Sequence, residues 1–307
     1  MESLERTIQK NLPGDLTNNG FSEIDCIENE FDDEVVPDGN FPVPFIKWVG
    51  GKRCLIKELI SHSPEKFGTY YEPFVGGGAL FFAMGKRLKQ TTISDRNFDL
   101  IITYKVIQKE PEKLIALLKK HKENHSKEYY YKIRKQHDIK NPLDLAARLI
   151  YLNRTCYNGL FRVNKAGEFN VPMGTYKNPS IVNEPNILAC HEILKKTKIE
   201  WRSCDTINPK TGDFVYCDPP YHPTDNLSFT SYTKLDFTEK DQVNLRDFAV
   251  NLNKKGIKIM LSNSNTNFIR DIYKSSIFHI HVVKAPRFVN CKKDKRNPVE
   301  EVIITNY

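Results

Sequence analysis

The chain has 307 residues, and no apolar run in it approaches the ~18 residues that a membrane-crossing helix needs. Its first ten residues, MESLERTIQK, lack the apolar core of a secretory leader. Membrane-spanning and exported classes are therefore not expected. Cysteine is scarce, odd in number at seven and irregularly spaced, which fits reduced thiols in a cytoplasmic protein better than a disulfide framework. A phosphate loop of the Walker type is missing, because Gly51-Lys52 is followed by Arg53 and the place of its first glycine is held by Ile46. A dinucleotide fingerprint is missing too, since glycines at 76 and 78 would need a third at 81, where Phe81 stands. No internal repeat is present. His121 and His125 have metal-ligand spacing, but their Lys and Glu neighbours read as a solvated helix face, so no metal is expected.

Hydrophobic residues make up 39%, enough for a sizeable core, and the formal net charge is +8. That charge is uneven. Residues 1–40 hold 11 acidic and 2 basic side chains, leaving 44 basic and 27 acidic in the remainder. An acidic extension of −9 thus precedes a body of +17. The extension ends in the breaker-rich Pro37-Asp38-Gly39-Asn40 and reads as a flexible tail. A basic body suits a polyanionic partner such as nucleic acid.

From Phe41, short apolar runs alternate with amphipathic ones, which predicts an α/β sheet. Strands are expected at Thr69–Glu72, Thr92–Ser94, Ile199–Ser203, Phe214–Cys217, Ile257–Ser262, Phe278–Val283 and Glu301–Thr305. Helices are expected at Gly78–Leu88, Phe98–Gln108, Glu239–Asn253 and Phe268–Tyr273. Residues 105–198 break the rhythm with helices around Glu112–His121, Ser126–Gln136 and Pro142–Arg154, then a hairpin with Gly167 in its turn. Residues 105–200 carry 19 basic and 10 acidic side chains. The division is an extension (1–40), a catalytic body (41–104 and 199–307) and an insert (105–198). A second basic stretch, Lys284 to Arg296, has six basic residues in 13 and suits phosphate contact.

Three motifs carry chemistry. In Tyr71-Glu72-Pro73-Phe74-Val75-Gly76-Gly77-Gly78, a strand runs through glycines into a helix, which lets a ligand approach the backbone closely. Asp95 ends the next strand 17 residues after Gly78, placed to accept hydrogen bonds from ribose hydroxyls. In Val215-Tyr216-Cys217-Asp218-Pro219-Pro220-Tyr221, an apolar strand delivers a carboxylate, a rigid loop and a flat ring. That set suits an exocyclic amino group on a planar base.

Together with Phe45-Ile-Lys-Trp-Val-Gly-Gly-Lys52, Tyr151-Leu-Asn-Arg-Thr-Cys-Tyr-Asn-Gly-Leu-Phe-Arg-Val-Asn164 and Glu168-Phe-Asn-Val-Pro-Met-Gly174, these motifs resemble the Dam/DpnII-type adenine-N6 DNA methyltransferases, an α-group family that methylates GATC. The likeness runs from about Phe45 to Tyr307, in the family's order. The extension, Cys217 and the Thr155-Cys156 pair depart from it. The resemblance implies a Rossmann-like class I methyltransferase fold, with a mixed seven-stranded sheet and a helical plus β-hairpin DNA-recognition insert. It implies S-adenosylmethionine as cofactor, held by Trp48, Gly50, Lys52, Glu72, Pro73, Phe74, Gly76, Gly78, Asp95, Asp205 and Asp218. It makes Asp218, Pro219 and Tyr221 catalytic. It places Lys47, Tyr157, Asn158, Leu160, Arg162 and Pro172 against double-stranded DNA. Cytosine-N4 or RNA adenine-N6 methylation on the same fold is the alternative. The chain has no Pro-Cys dipeptide, which methylation of the cytosine ring carbon requires. A companion restriction endonuclease is neither implied nor excluded.

Overall fold

The computed structural model describes residues 42–164, 166–224, 237–285 and 299–307. Seven runs, six of them rich in β-branched or aromatic residues, pair into one sheet: β1 Thr69–Glu72, β2 Gln90–Asp95, β3 Thr197–Trp201, β4 Phe214–Cys217, β5 Lys258–Ser264, β6 His279–Ala285 and β7 Val299–Thr305. Their order is β3-β2-β1-β4-β5-β7-β6. Strands β1 to β5 pair in parallel, and β7 lies antiparallel between β5 and β6. This is the mixed seven-stranded α/β sheet that the resemblance implies. The strand order reverses between β1 and β4, so a crevice opens at their carboxyl ends. The glycine loop follows β1, and Asp218 follows β4.

Strand β4 is buried throughout, as a parallel strand covered on both faces must be. On one face Tyr70, Phe214, Tyr216, Met260 and Ile303 share an apolar cluster with Leu59, Phe82 and Tyr104, from α1 (Ile56–His62), α2 (Ala79–Met84) and α3 (Phe98–Lys109). On the other, Val215, Cys217, Ile259, Leu261, Val302 and Ile304 pack against Leu245, Ala249, Leu252, Ile269 and Tyr273 of α8 (Glu239–Lys254) and α9 (Asn267–Tyr273).

The insert supplies α4 (Pro111–Glu123), α5 (Lys127–Arg134), α6 (Pro142–Thr155) and α7 (Glu184–Leu194). Its Leu114, Tyr130, Ala146 and Tyr151 join the first face's cluster, so the insert shares a core with the sheet. Helix starts follow capping chemistry. Asn97, Ser126, Asn141 and Asn183 each accept a backbone N–H with the side chain. Pro111 and Pro142 sit in first turns, where a missing N–H costs nothing.

Helices α1 and α7 add to the expected set. Helix α1 is only seven residues long and follows a 3-10 turn, and Pro185 hides α7 by resembling a breaker while sitting in its first turn. The hairpin holds one regular bridge, Val163 to Phe169, with Gly167 in the left-handed region at φ +86°. His121 departs from expectation. It is buried, with Nδ1 2.9 Å from the Tyr129 hydroxyl and its ring stacked on Tyr151. Residues 1–41, which include the acidic extension, and 286–298 of the second basic stretch lie outside the described residues.

Candidate active site

The loop after β1 is built on backbone that side chains cannot share. Gly76 and Gly78 have φ of +47° and +72°. A Cβ on Gly76 would meet Trp48 Cδ1 at 2.7 Å, and one on Gly78 would meet the Tyr104 hydroxyl at 2.7 Å. The tight fit is held from both sides. Tyr104 donates to the Gly76 carbonyl at 3.0 Å, and the Gly76 N–H donates to Asp95 Oδ2 at 3.1 Å. Asp95 Oδ1 also accepts the Asn97 N–H at 2.9 Å, fixing the turn into α3. Burial pushes the Asp95 carboxyl up, and those N–H groups oppose it.

Trp48 covers this loop and stacks on Phe161 with centroids 5.3 Å apart. Lys52 is buried, and its ammonium donates to the Gly50 carbonyl. The same Nζ lies 3.1 Å from Asp218 Oδ1 and 4.4 Å from the centroid of the Tyr221 ring. Asp218 Oδ1 also accepts from Ser262 Oγ at 3.0 Å, and Ser262 lies 2.8 Å from the Tyr216 hydroxyl. Burial raises the Asp218 carboxyl above the ordinary range, while Lys52 and Ser262 draw it down. Glu72, at the end of β1, is 2% exposed and accepts from the Tyr70 hydroxyl at 2.5 Å. Its carboxyl is pushed up to about 8 by burial, against the pull of Tyr70 and with a further push from Asp218. A protonated Glu72 therefore neighbours an Asp218 whose charge is partnered.

The loop beyond Asp218 is pinned from α8 and β5. Gln242 Nε2 donates to the Pro220 carbonyl at 2.9 Å, and the His222 N–H donates to Asn263 Oδ1 at 3.0 Å. Tyr221 donates its hydroxyl to Glu301 Oε2 at 2.8 Å. Pro73 and Pro219 are buried beside their glycine and aspartate neighbours, and Phe74 is half-buried against Phe237. Asp205 lies in a 3-10 turn, Cys204–Thr206, four residues past β3, and is exposed.

The expected DNA edge is a second tight construction, keyed by Asn153. Its amide accepts the Lys47 N–H at 2.8 Å and donates to the carbonyls of Lys47 and Gly159, at 2.7 and 2.8 Å. Arg154 Nη2 donates to the Phe45 carbonyl at 2.9 Å. The end of α6 thus sets the segment 45–48 and the turn 157–160 together. Within that turn Asn158 and Gly159 are left-handed, at φ +53° and +61°, and a Cβ on Gly159 would strike Lys47 Cδ at 2.5 Å. The Tyr157 N–H donates to the Pro172 carbonyl at 2.9 Å. Asn158, Arg162 and Pro172 are exposed, and Tyr157 and Leu160 half-buried. Arg162 Nε donates to Asn170 Oδ1 at 2.8 Å, which aims the guanidinium across the hairpin. Lys47 Nζ lies 4.8 Å from the Tyr176 ring centroid.

The structure thus gathers Trp48, Lys52, Glu72, Gly76, Gly78, Asp95, Asp218 and Tyr221 at one end of the sheet, and ties Lys47 to the turn at 157–160. Ser262, Gln242, Asn263, Glu301 and Asn153 are additions. The available signal for Glu301 and Ser262 is a polar side chain directly beside an apolar run, Val302–Ile304 and Ile259–Leu261. It becomes readable only when strand register shows which face they share.

A family profile described as D12 class N6 adenine-specific DNA methyltransferase matches residues 48–288. A type II methyltransferase of Lactococcus lactis subsp. cremoris is 42% identical over 274 residues, covering 86% of this chain and 95% of that protein. A type II methyltransferase of Methanocaldococcus jannaschii is 42% identical over 287 residues, covering 86% and 99%. A DNA adenine methylase of Vibrio cholerae is 36% identical over 265 residues, covering 84% and 94%. With sheet, glycine loop and Asp-Pro-Pro-Tyr corner already in place, the chain belongs to the D12 class of N6 adenine-specific DNA methyltransferases. It is an adenine-specific DNA methyltransferase, an enzyme that acts on DNA.

Proposed function

We propose that this enzyme uses S-adenosylmethionine to methylate N6 of an adenine swung out of double-stranded DNA, within GATC, in the cytoplasm. The observation that carries the reading is Asp218. Its carboxylate stands at the carboxyl end of β4, held by Lys52 at 3.1 Å and Ser262 at 3.0 Å, beside the glycine loop and three residues before Tyr221.

The donor set fits the cofactor. Gly76 and Gly78 hold the loop after β1 in the left-handed turns of a tight strand-to-helix bend, Asp95 suits ribose hydroxyls, and Lys52 suits a carboxylate. Trp48, Gly50, Glu72, Pro73, Phe74, Asp205 and Asp218 complete the holding set. When bound, S-adenosylmethionine supplies an electrophilic sulfonium methyl group.

The chain's own part is to make a poor nucleophile react. The lone pair of adenine N6 is delocalised into the ring. Accepting its two N–H bonds on the Asp218 carboxylate and the Pro219 carbonyl draws the nitrogen towards tetrahedral geometry and frees the pair. Positioning in a water-poor site supplies much of the rest. The target atom is out of reach within a stacked duplex, so the base must leave it. Tyr221 then offers a stacking face, worth ~1–3 kcal/mol per base. Arg162 is placed to read guanine through its paired N–H groups, with ~1–3 kcal/mol of discrimination. Lys47, Tyr157, Asn158, Leu160 and Pro172 line the same edge. GATC follows from the resemblance of this edge to the GATC-methylating enzymes.

The test is transfer of label from S-adenosylmethionine to a GATC duplex, with digestion to nucleosides. N6-methyladenine is expected, together with loss of transfer in Asp218→Ala. Transfer surviving that change sinks the mechanism. Label recovered as N4-methylcytosine, or on RNA alone, selects the alternative target.

A further inference from the structure

Glu301 is a carboxylate on the buried face of a strand that is otherwise apolar from Val302 to Ile304. It lies opposite Ser264 of β5 and Val283 of β6 in the register of β7. Burial pushes its carboxyl up, with Lys52 and the Tyr221 hydroxyl opposing. Its Oε2 receives that hydroxyl at 2.8 Å.

The backbone around Tyr221 is fixed without Glu301, through Gln242 to the Pro220 carbonyl and Asn263 to the His222 N–H. What those bonds leave undetermined is the swing of the ring. Anchoring the tyrosine hydroxyl fixes the swing of the ring, and because a phenolic O–H lies in the plane of its ring, the direction of the acceptor also sets that plane about the ring's long axis. The ring is held at its tip by Glu301 and faced by the Lys52 ammonium at 4.4 Å.

We infer that Glu301 is a positioning residue, which sets the plane of Tyr221 for the incoming adenine and acts on acceptance of the base, not on binding of the cofactor. The inference rests on the reading of Tyr221 as the stacking face.

The test uses the full chain and a GATC duplex carrying 2-aminopurine at the target adenine, whose fluorescence rises when the base unstacks, alongside kcat and KM on the unmodified duplex. Glu301→Leu removes the acceptor, Glu301→Gln keeps one, and Tyr221→Phe removes the donor without touching β7. Glu301→Leu is expected to lower kcat/KM by ~10–100-fold, the range for a hydrogen bond to a charged group. Fluorescence enhancement should fall in parallel, with affinity for S-adenosylhomocysteine by calorimetry unchanged. Glu301→Gln should stay within ~3-fold of the parent, Tyr221→Phe should match Glu301→Leu, and the double variant should lose nothing more. Near-parental kinetics in Glu301→Leu, equal loss of cofactor affinity, or multiplicative losses in the double variant overturn the inference. Tyr221→Ala separates the two levels. If Tyr221→Ala leaves base acceptance intact, the stacking reading itself fails. If it is damaging while Glu301→Leu is not, only the role of Glu301 fails.

Discussion

Two carboxylates at the end of adjacent strands have been given opposite tasks by their surroundings. Asp218 meets an ammonium and a serine hydroxyl and can hold charge. Glu72 meets a tyrosine hydroxyl in an apolar setting, and burial pushes its carboxyl up to about 8. Below that value the folded protein keeps a proton on Glu72 that the unfolded chain releases near the ordinary carboxyl range. Stability contributed by this proton is complete at acid pH and is lost as pH rises towards about 8. The denaturant midpoint should therefore fall between about pH 5 and pH 8. Glu72→Gln, which keeps the shape and cannot ionise, should flatten that slope. An unchanged slope in the variant would assign the pH dependence to other groups.

At the scale of elements, all seven strands are legible because each contains a short apolar stretch, in most of them β-branched or aromatic, between more polar segments. The chemistry at 72–78 and 218–221 is legible because it is contiguous in sequence. Asn153 is not, although it stands inside a recognised block. Its function is to hold two distant loops, and only the packing of α6 brings Lys47 and Gly159 within its reach. Ser262 is hidden in the same way, the first of three consecutive polar residues that end β5, with nothing in their order to say which of them meets Asp218. The three bonds of Asn153 make a specific forecast. At ~0.5–1.5 kcal/mol net per hydrogen bond, Asn153→Ala should cost ~2–4 kcal/mol in urea unfolding. Because the same side chain sets the turn at 157–160, methylation of GATC relative to one-base variants should also become less selective. A destabilised enzyme with parental selectivity would restrict Asn153 to a structural role.

For the whole molecule, the charge distribution sets the terms of DNA binding. The body carries +17 and the extension −9. An enzyme touching six to ten phosphates loses ~10³–10⁵-fold in affinity between about 50 and 200 mM salt, and a steep dependence of this kind is expected here. Removing residues 1–40 takes away the opposing charge. Methylation should persist in the truncated protein, and DNA affinity by fluorescence anisotropy should rise, most clearly at low salt. Loss of methylation on truncation would make the acidic segment part of the catalytic body.

The position of β7 bears on how the enzyme is made. Among the described residues, strand β6 has no neighbour in the sheet except β7, and β5 meets β7 along its outer edge. During synthesis, both earlier strands leave the ribosome before the strand that joins them. A chain interrupted before residue 299 therefore presents two unpaired apolar edges and lacks Glu301 as well. Such a product is expected to fall to chaperones and proteases and not to persist as a weakened methyltransferase. Cellular quality control would thus remove incomplete copies before they could reach DNA.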